Sequence, residues 1–267
     1  MRIWALAWNT FGTFWRDRLI IVFLVIFACL VLFTMSPLMV AKAMTTASNA
    51  QQMQAMVLGI VSIVASMASG FGSLLAAWLT AGAVTNEIKS GTILAVMARP
   101  VRRWEFLLAK FLGAQILLAI YVVMMLGLTY VLAWLGGEHI HSARWVFIVY
   151  PMVRYAIYSA IALLLATVLR PAAAFGVVFA ISVLAQVVAP TVGGSHWIPQ
   201  WLQLPLWAIL PSTSLLSETR FLAVSQAALK QVPWTQHAIT LAYGLDYALV
   251  FMLLAMWSFH YRSLTRD

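Results

Sequence analysis

Charged side chains are what this sequence has least of. They make up 9% of 267 residues, seven acidic against sixteen basic, where a soluble domain carries about 25%. With 64% hydrophobic residues and a mean hydropathy of +0.95, the composition excludes a soluble globular domain and reads as an integral membrane protein. Cysteine is nearly absent too. Cys29 alone lies inside an apolar run, so no disulfide framework forms within one chain. The sequence has no G-x-x-x-x-G-K-[ST] loop to cradle nucleotide phosphates, no G-x-S-x-G elbow and no H-E-x-x-H. Nothing in it supports an enzyme, and we assign no catalytic residue.

The net charge of +9 would point to nucleic acid in a soluble protein. Here the basic residues cluster between apolar runs, so membrane orientation explains them and no nucleic-acid partner is expected. The loop Glu138-His139-Ile140-His141 offers two imidazoles and a carboxylate, and Met35, Met39 and Met44 lie near one end of the first apolar run. Such residues ligate metals, but a water-facing loop is polar in any case and methionine is a common apolar filler. We expect no metal site.

Apolar runs set the layout. Residues 1–18 place Trp4, Trp8, Phe11 and Trp15 on one helical face between basic ends, the pattern of a helix lying in the membrane interface. Spans are expected at 19–41, 56–84, 111–135, 145–169, 172–189 and 238–259, against the ~20 residues a bilayer needs, with 56–84 longer than necessary. Lys42–Gln54 is expected as an outer loop, and Arg170-Pro171 as a tight inner turn. From Pro171 to Ser217 no residue is charged, yet Pro190, Pro199, Pro205 and Pro211 recur among Trp197, Trp201 and Trp207. Proline at that density breaks a straight span and tryptophan favours the interface. Residues 191–237 therefore read as short outer-face or re-entrant helices, one of them Ser217–Lys230. The fold class is an all-α integral membrane protein of six spans in a single domain, 1–267.

Eleven basic residues fall on one side of that layout and four on the other, which puts both termini and the loop at 86–105 in the cytoplasm. Ser62, Ser66 and Gly70, with Ser69 and Ser73, form overlapping small-x-x-x-small patterns, fit either for a seam between two copies or for packing within one. Arg154 and Asp246 are charges within spans, at similar depth. Such charges are costly and face the protein interior, so we expect them to form an intramembrane ion pair.

The densest charged island runs from Thr85 to Lys110, with Glu87, Lys89, Arg99, Arg102, Arg103, Glu105 and Lys110. Gly91 is able to take positive φ and end the arriving helix. Ser90 or Thr92 is placed to cap a short helix through Ile93–Met97, and Arg99 before Pro100 ends it. A short helix between two turns, across the mouth of a helix pair, is a docking surface.

These residues carry a resemblance. Glu87, Gly91-Thr92, Pro100, Arg103 and Lys110 resemble the E-x3-G-T-x7-P-x2-R-x6-K signature of ABC-2 type transporter permeases of the single six-span kind. The motif covers about a tenth of the chain, and the hydropathy layout is similar throughout. The resemblance implies that 86–105 is a cytoplasmic coupling helix docked on a separate ABC ATPase subunit, through Glu87, Gly91, Thr92, Arg99, Pro100, Arg102 and Arg103. It implies that ATP and Mg are bound by that partner, with no cofactor in this chain. It further implies pairing with a second permease copy or a related permease, export as the direction, residence among lipid in a bacterial cytoplasmic (inner) membrane, and an elbow helix at 1–18. A scaffold or assembly factor that docks a soluble partner without transport is the alternative. An ATP-independent carrier would need midplane ionisable residues and repeats, and no convincing repeat is present.

Overall fold

A chain this apolar has few ways to satisfy its backbone. In lipid, each N–H and C=O needs an internal partner, which leaves helices or a closed barrel. The computed structural model takes the first solution. It describes residues 2–15, 50–90, 102–135, 146–188 and 234–261, with Val22, Val25, Ala28, Cys29, 210–212, Leu215 and Leu216 between them. Among the described residues there are six long helices and no strand: α1 (Arg2–Trp15), α2 (Ala50–Ser90), α3 (Arg103–Leu135), α4 (Val146–Ala166), α5 (Pro171–Val188) and α6 (Trp234–Tyr261).

Four of them contain stretches long and apolar enough to cross a membrane: Gly59–Thr85, Arg103–Leu128, Ile148–Ala166 and Trp234–Tyr261. Helix α5 adds a shorter apolar stretch, Pro171–Ala185. The expected first span at 19–41 lies outside the described residues apart from four positions. So do the His139/His141 loop and nearly all of 191–233.

Three helices extend beyond the spans expected of them. One of these, α6, begins at Trp234, inside the residues 191–237 expected as outer-face helices, because Trp234 to His237 continue the helical pattern of the span. Helix α2 begins at Ala50, inside the stretch expected as outer loop, because Ala50-Gln51-Gln52-Met53-Gln54 are all good helix formers. Helix α3 begins at Arg103 rather than near Phe111. Its start is fixed by Glu105, whose Oε2 accepts from the Arg102 backbone N–H at 2.9 Å, the reaching-back half of a capping box. The Arg170-Pro171 turn falls as expected. Thr167, Val168 and Leu169 bond back to the last carbonyls of α4, and Ala174 N–H donates to Arg170 O at 2.9 Å. Pro171 takes the first helical position of α5, where its missing N–H costs nothing.

Helix α4 is the axis of the bundle and packs against α2, α3, α5 and α6. Its face is lined by Tyr150, Val153, Ile157, Tyr158 and Ile161, all buried. Between apolar helices in lipid the drive is close packing rather than removal of surface from water, so the places where backbones approach are decisive. Gly72 of α2 is one: a Cβ there would strike the Tyr155 hydroxyl, and would lie 2.8 Å from Cε1 of Tyr121. Gly113 of α3 is another, since a Cβ would lie 2.8 Å from Ala7 O. That contact seats α1 against α3 through Ala7, Thr10 and Phe14, all buried, while Trp4 and Trp8 stay 61% and 58% exposed. Trp4 and Trp8 thus face away from the protein, as an interfacial helix requires, whereas Phe11 of the same stripe is half-buried and packs against the core.

Polar pairs fix the remaining registers. Tyr121 OH donates to Ala68 O at 2.6 Å. Gln115 Nε2 donates to Ser159 Oγ at 3.1 Å, and Thr167 Oγ1 lies 2.8 Å from Ser258 Oγ. At the opposite end of α4, Tyr150 OH lies 2.7 Å from His237 Nδ1. Such bonds contribute about 0.6 kcal/mol each within a membrane.

Candidate functional site: a clasp beneath the central loop

The two helices that carry the central loop end in an ion pair. Glu87 sits three residues before the last residue of α2, and Lys110 is in the second turn of α3. Lys110 Nζ donates to Glu87 Oε1. The lysine is buried and its ammonium also lies 5.4 Å from the Phe106 ring centroid, a distance at which a cation is attracted by the ring face. Lysine is almost never buried without a partner, so the pair is what lets a cation sit this far inside α3.

A second tie runs from the start of α3 to the end of α6. Arg103 Nη1 donates to His260 O at 2.7 Å and to Phe259 O at 3.3 Å. These are among the last carbonyls of α6, which have no intrahelical donor and carry the negative end of the helix dipole. An arginine satisfies both needs at once. Phe106 and Phe259 stack directly beneath it, with centroids 6.0 Å apart. Around them Val84, Leu107, Ala160, Leu163, Met252 and Ala255 form one buried cluster. That cluster draws a residue or more from each of α2, α3, α4 and α6, so the four helices meet in one packed group of side chains beside the clasp.

Glu87 and Arg103 are both anchored in this clasp. Arg102 is exposed at the start of α3. Gly91, Thr92, Arg99 and Pro100 lie outside the described residues. Arg154 is half-buried on α4, with its guanidinium carbon 6.0 Å from the Tyr155 ring centroid. Asp246 is exposed on α6, and α4 and α6 pack against one another. Of the small-residue patterns, Ser69 and Ser73 are buried. Ser66 is exposed, and a Cβ added at Gly70 meets nothing within 4 Å. One pattern therefore packs inward and the other faces out.

Sequence reasoning placed Lys110 in the motif but gave it no site role. The signal was present: an ammonium in the second turn of an apolar helix requires a carboxylate at the same depth, and Glu87 is the nearest acidic residue on the preceding helix. It also passed over a cavity of 410 Å³ beside the clasp, bounded by Thr10 and Thr13 of α1, Trp78 and Glu87 of α2, Lys110 of α3 and Arg170 at the head of α5. No local pattern announces that cavity, because its walls come from four separate stretches. Among the described residues, no group of three or more histidine, cysteine or acidic side chains could hold a metal ion.

Among curated proteins, none matches this chain. A family model described as ABC-2 family transporter protein matches residues 4–264, which takes in the clasp, the cavity and all of the six described helices but the first two residues of α1. The chain belongs to the ABC-2 transporter family, as a membrane subunit of transport rather than a catalyst.

Proposed function

We propose that this chain is the permease subunit of an ATP-driven exporter, with six spans, both termini in the cytoplasm and residence in a bacterial inner membrane. A separate ABC ATPase binds ATP and Mg and docks on the loop at 86–105, through Glu87, Gly91, Thr92, Arg99, Pro100, Arg102 and Arg103. Two permeases, identical or related, pair to form the path. Closure of the ATPases pushes on the loop and moves α2 and α3 against α4 and α6. The observation that carries this reading is the clasp: Glu87–Lys110 joins the two loop-bearing helices, and Arg103 joins one of them to the end of α6. A docking loop that transmits force needs such rigid feet, and a mere tether does not.

The outward small residues Ser66 and Gly70 support a second permease seated on α2, since small side chains let helices approach closely. Arg154 and Asp246 are retained as an intramembrane pair across α4 and α6, supported by the packing of those two helices.

The test is affinity purification of the tagged chain from gently solubilised native membranes. An ATP-hydrolysing protein recovered with the unmodified chain, and lost with Glu87→Ala plus Arg103→Ala, supports the reading and its docking site. Recovery without any ATPase in several mild detergents overturns it in favour of a scaffold.

A further inference from the structure

The cavity beside the clasp has a chemistry that docking and force transmission do not use. One wall is apolar: Phe14, Leu79, Ala81 and Pro171 line it. Trp78 is held in place by an edge-on contact with Phe175, centroids 5.3 Å apart. The polar end carries Lys110 and Arg170 against Glu87, an excess of one positive charge. Lys110 and Glu87 engage each other, so the exposed guanidinium of Arg170 is the cation at the mouth. Arg170 is also the residue before the first turn of α5, and its side chain offers no acceptor to the N–H groups of that turn. Ala172, which lines the cavity, belongs to that turn. Pro171 has no N–H and Ala174 N–H donates to Arg170 O, so the amides of Ala172 and Ala173 are those left without intrahelical partners, and they favour an anion.

From this geometry we propose that the cavity takes the phosphate-bearing headgroup of an anionic phospholipid. Arg170 and the first turn of α5 receive the phosphate, and the lipid's glycerol and upper chain lie along Phe14 and Leu79. The volume of 410 Å³ is within the ~300–1,000 Å³ of small-molecule sites. A freely soluble anion would leave the apolar wall bare, whereas an amphiphile covers both halves. The position also fits a lipid, because one wall is α1, whose Trp4 and Trp8 are exposed as interfacial residues are. A lipid seated here bridges α1 to α2, α3 and α5 directly beside the ion pair, so the loop's foot becomes sensitive to the membrane's anionic content. The inference rests on the proposed orientation only in naming the inner leaflet as the lipid's source.

The experiment uses the purified full chain in nanodiscs of zwitterionic lipid doped with a photoactivatable phosphatidylglycerol, with adducts mapped by mass spectrometry. Adducts are expected on Thr13, Phe14, Trp78 and Ala172. Arg170→Gln lowers their yield about tenfold, the fold-change of losing a charge-assisted bond worth ~1.4 kcal/mol. Unlabelled phosphatidylglycerol displaces the label and millimolar inorganic phosphate does not. Adducts spread evenly over the apolar faces, or a yield unchanged in Arg170→Gln, overturn the proposal. Displacement by inorganic phosphate overturns the lipid as source and leaves a free-oxyanion site. Nanodiscs present the lipid on both faces, so this readout is independent of orientation. Labelling of Arg170→Cys from each side of sealed vesicles, in a Cys29→Ala background, reads orientation separately.

Discussion

Glu87 and Lys110 are 23 residues apart in sequence and joined in space, so the two ends of the motif that frames the central loop are also its mechanical closure. The lysine side chain is 9% exposed and the carboxylate 26%. Removing one partner of a pair this enclosed leaves the other charge uncompensated. Lys110→Met alone is expected to destabilise the chain by about 1–3 kcal/mol, below the ~3–5 kcal/mol of a fully buried pair. Lys110→Met with Glu87→Gln recovers most of that loss, because neither member then carries a buried charge. Thermal unfolding of the purified variants in one detergent checks both outcomes. A double variant as unstable as the single would mean that the pair does not govern this site.

Arg103 caps α6 from another helix, and its bonds to His260 O and Phe259 O make a definite signature. Arg103→Ala should speed hydrogen exchange in the last turn of α6, residues 258–261, while leaving its middle protected. The expected loss is about 1–2 kcal/mol, the upper end for a partly buried cation at a helix C-terminus. Arg103→Lys keeps the charge but replaces the rigid guanidinium, whose Nη1 reaches both carbonyls, with an ammonium on a flexible stem, so it restores protection only in part.

Gly72 faces Tyr155, and the hydroxyl is the atom that an added methyl would strike first. Gly72→Ala is therefore expected to cost about 1–3 kcal/mol by overpacking. Adding Tyr155→Leu to Gly72→Ala removes both the hydroxyl and the ring carbon Cζ that the methyl would strike and should return part of the melting temperature. No rescue would mean that α2 shifts as a whole instead.

Ser66 points out of the bundle where Ser69 points in. If a second permease sits on that face, Ser66→Trp disrupts the pair without unfolding the chain. Native mass spectrometry of the purified protein should then show the single-copy species gaining at the expense of the two-copy species. An unchanged distribution would move the seam elsewhere.

Arg154 and Asp246 supply the last test. Reversing one charge, as in Asp246→Arg, should lower the folded yield, and adding Arg154→Asp should restore it if the two meet across α4 and α6. Failure of the double change to recover would assign Asp246, which is exposed, to a surface beyond this chain.

The class, the family and the approximate places of the four long apolar helices were legible in the residues alone. Those follow from local quantities: apolar runs set by bilayer thickness, helix formers, Pro171 at a helix start, and a charged island whose order of residues is particular. The sequence could also place Glu87 and Arg103 at the loop, since they are part of that order. Which groups meet depends on how the helices pack. Helix α2 runs through Glu87 and α3 starts at Arg103, and this continuation brings Lys110 to the carboxylate and Arg103 to the carbonyls of α6. The inward and outward faces of α2 were equally unreadable, because one small-residue pattern serves either side until a neighbour such as Tyr155 occupies one of them. The cavity beside the clasp belongs wholly to this second kind. Its walls come from α1, α2, α3 and the head of α5, and distances between helices are fixed by packing, which no local sequence pattern encodes.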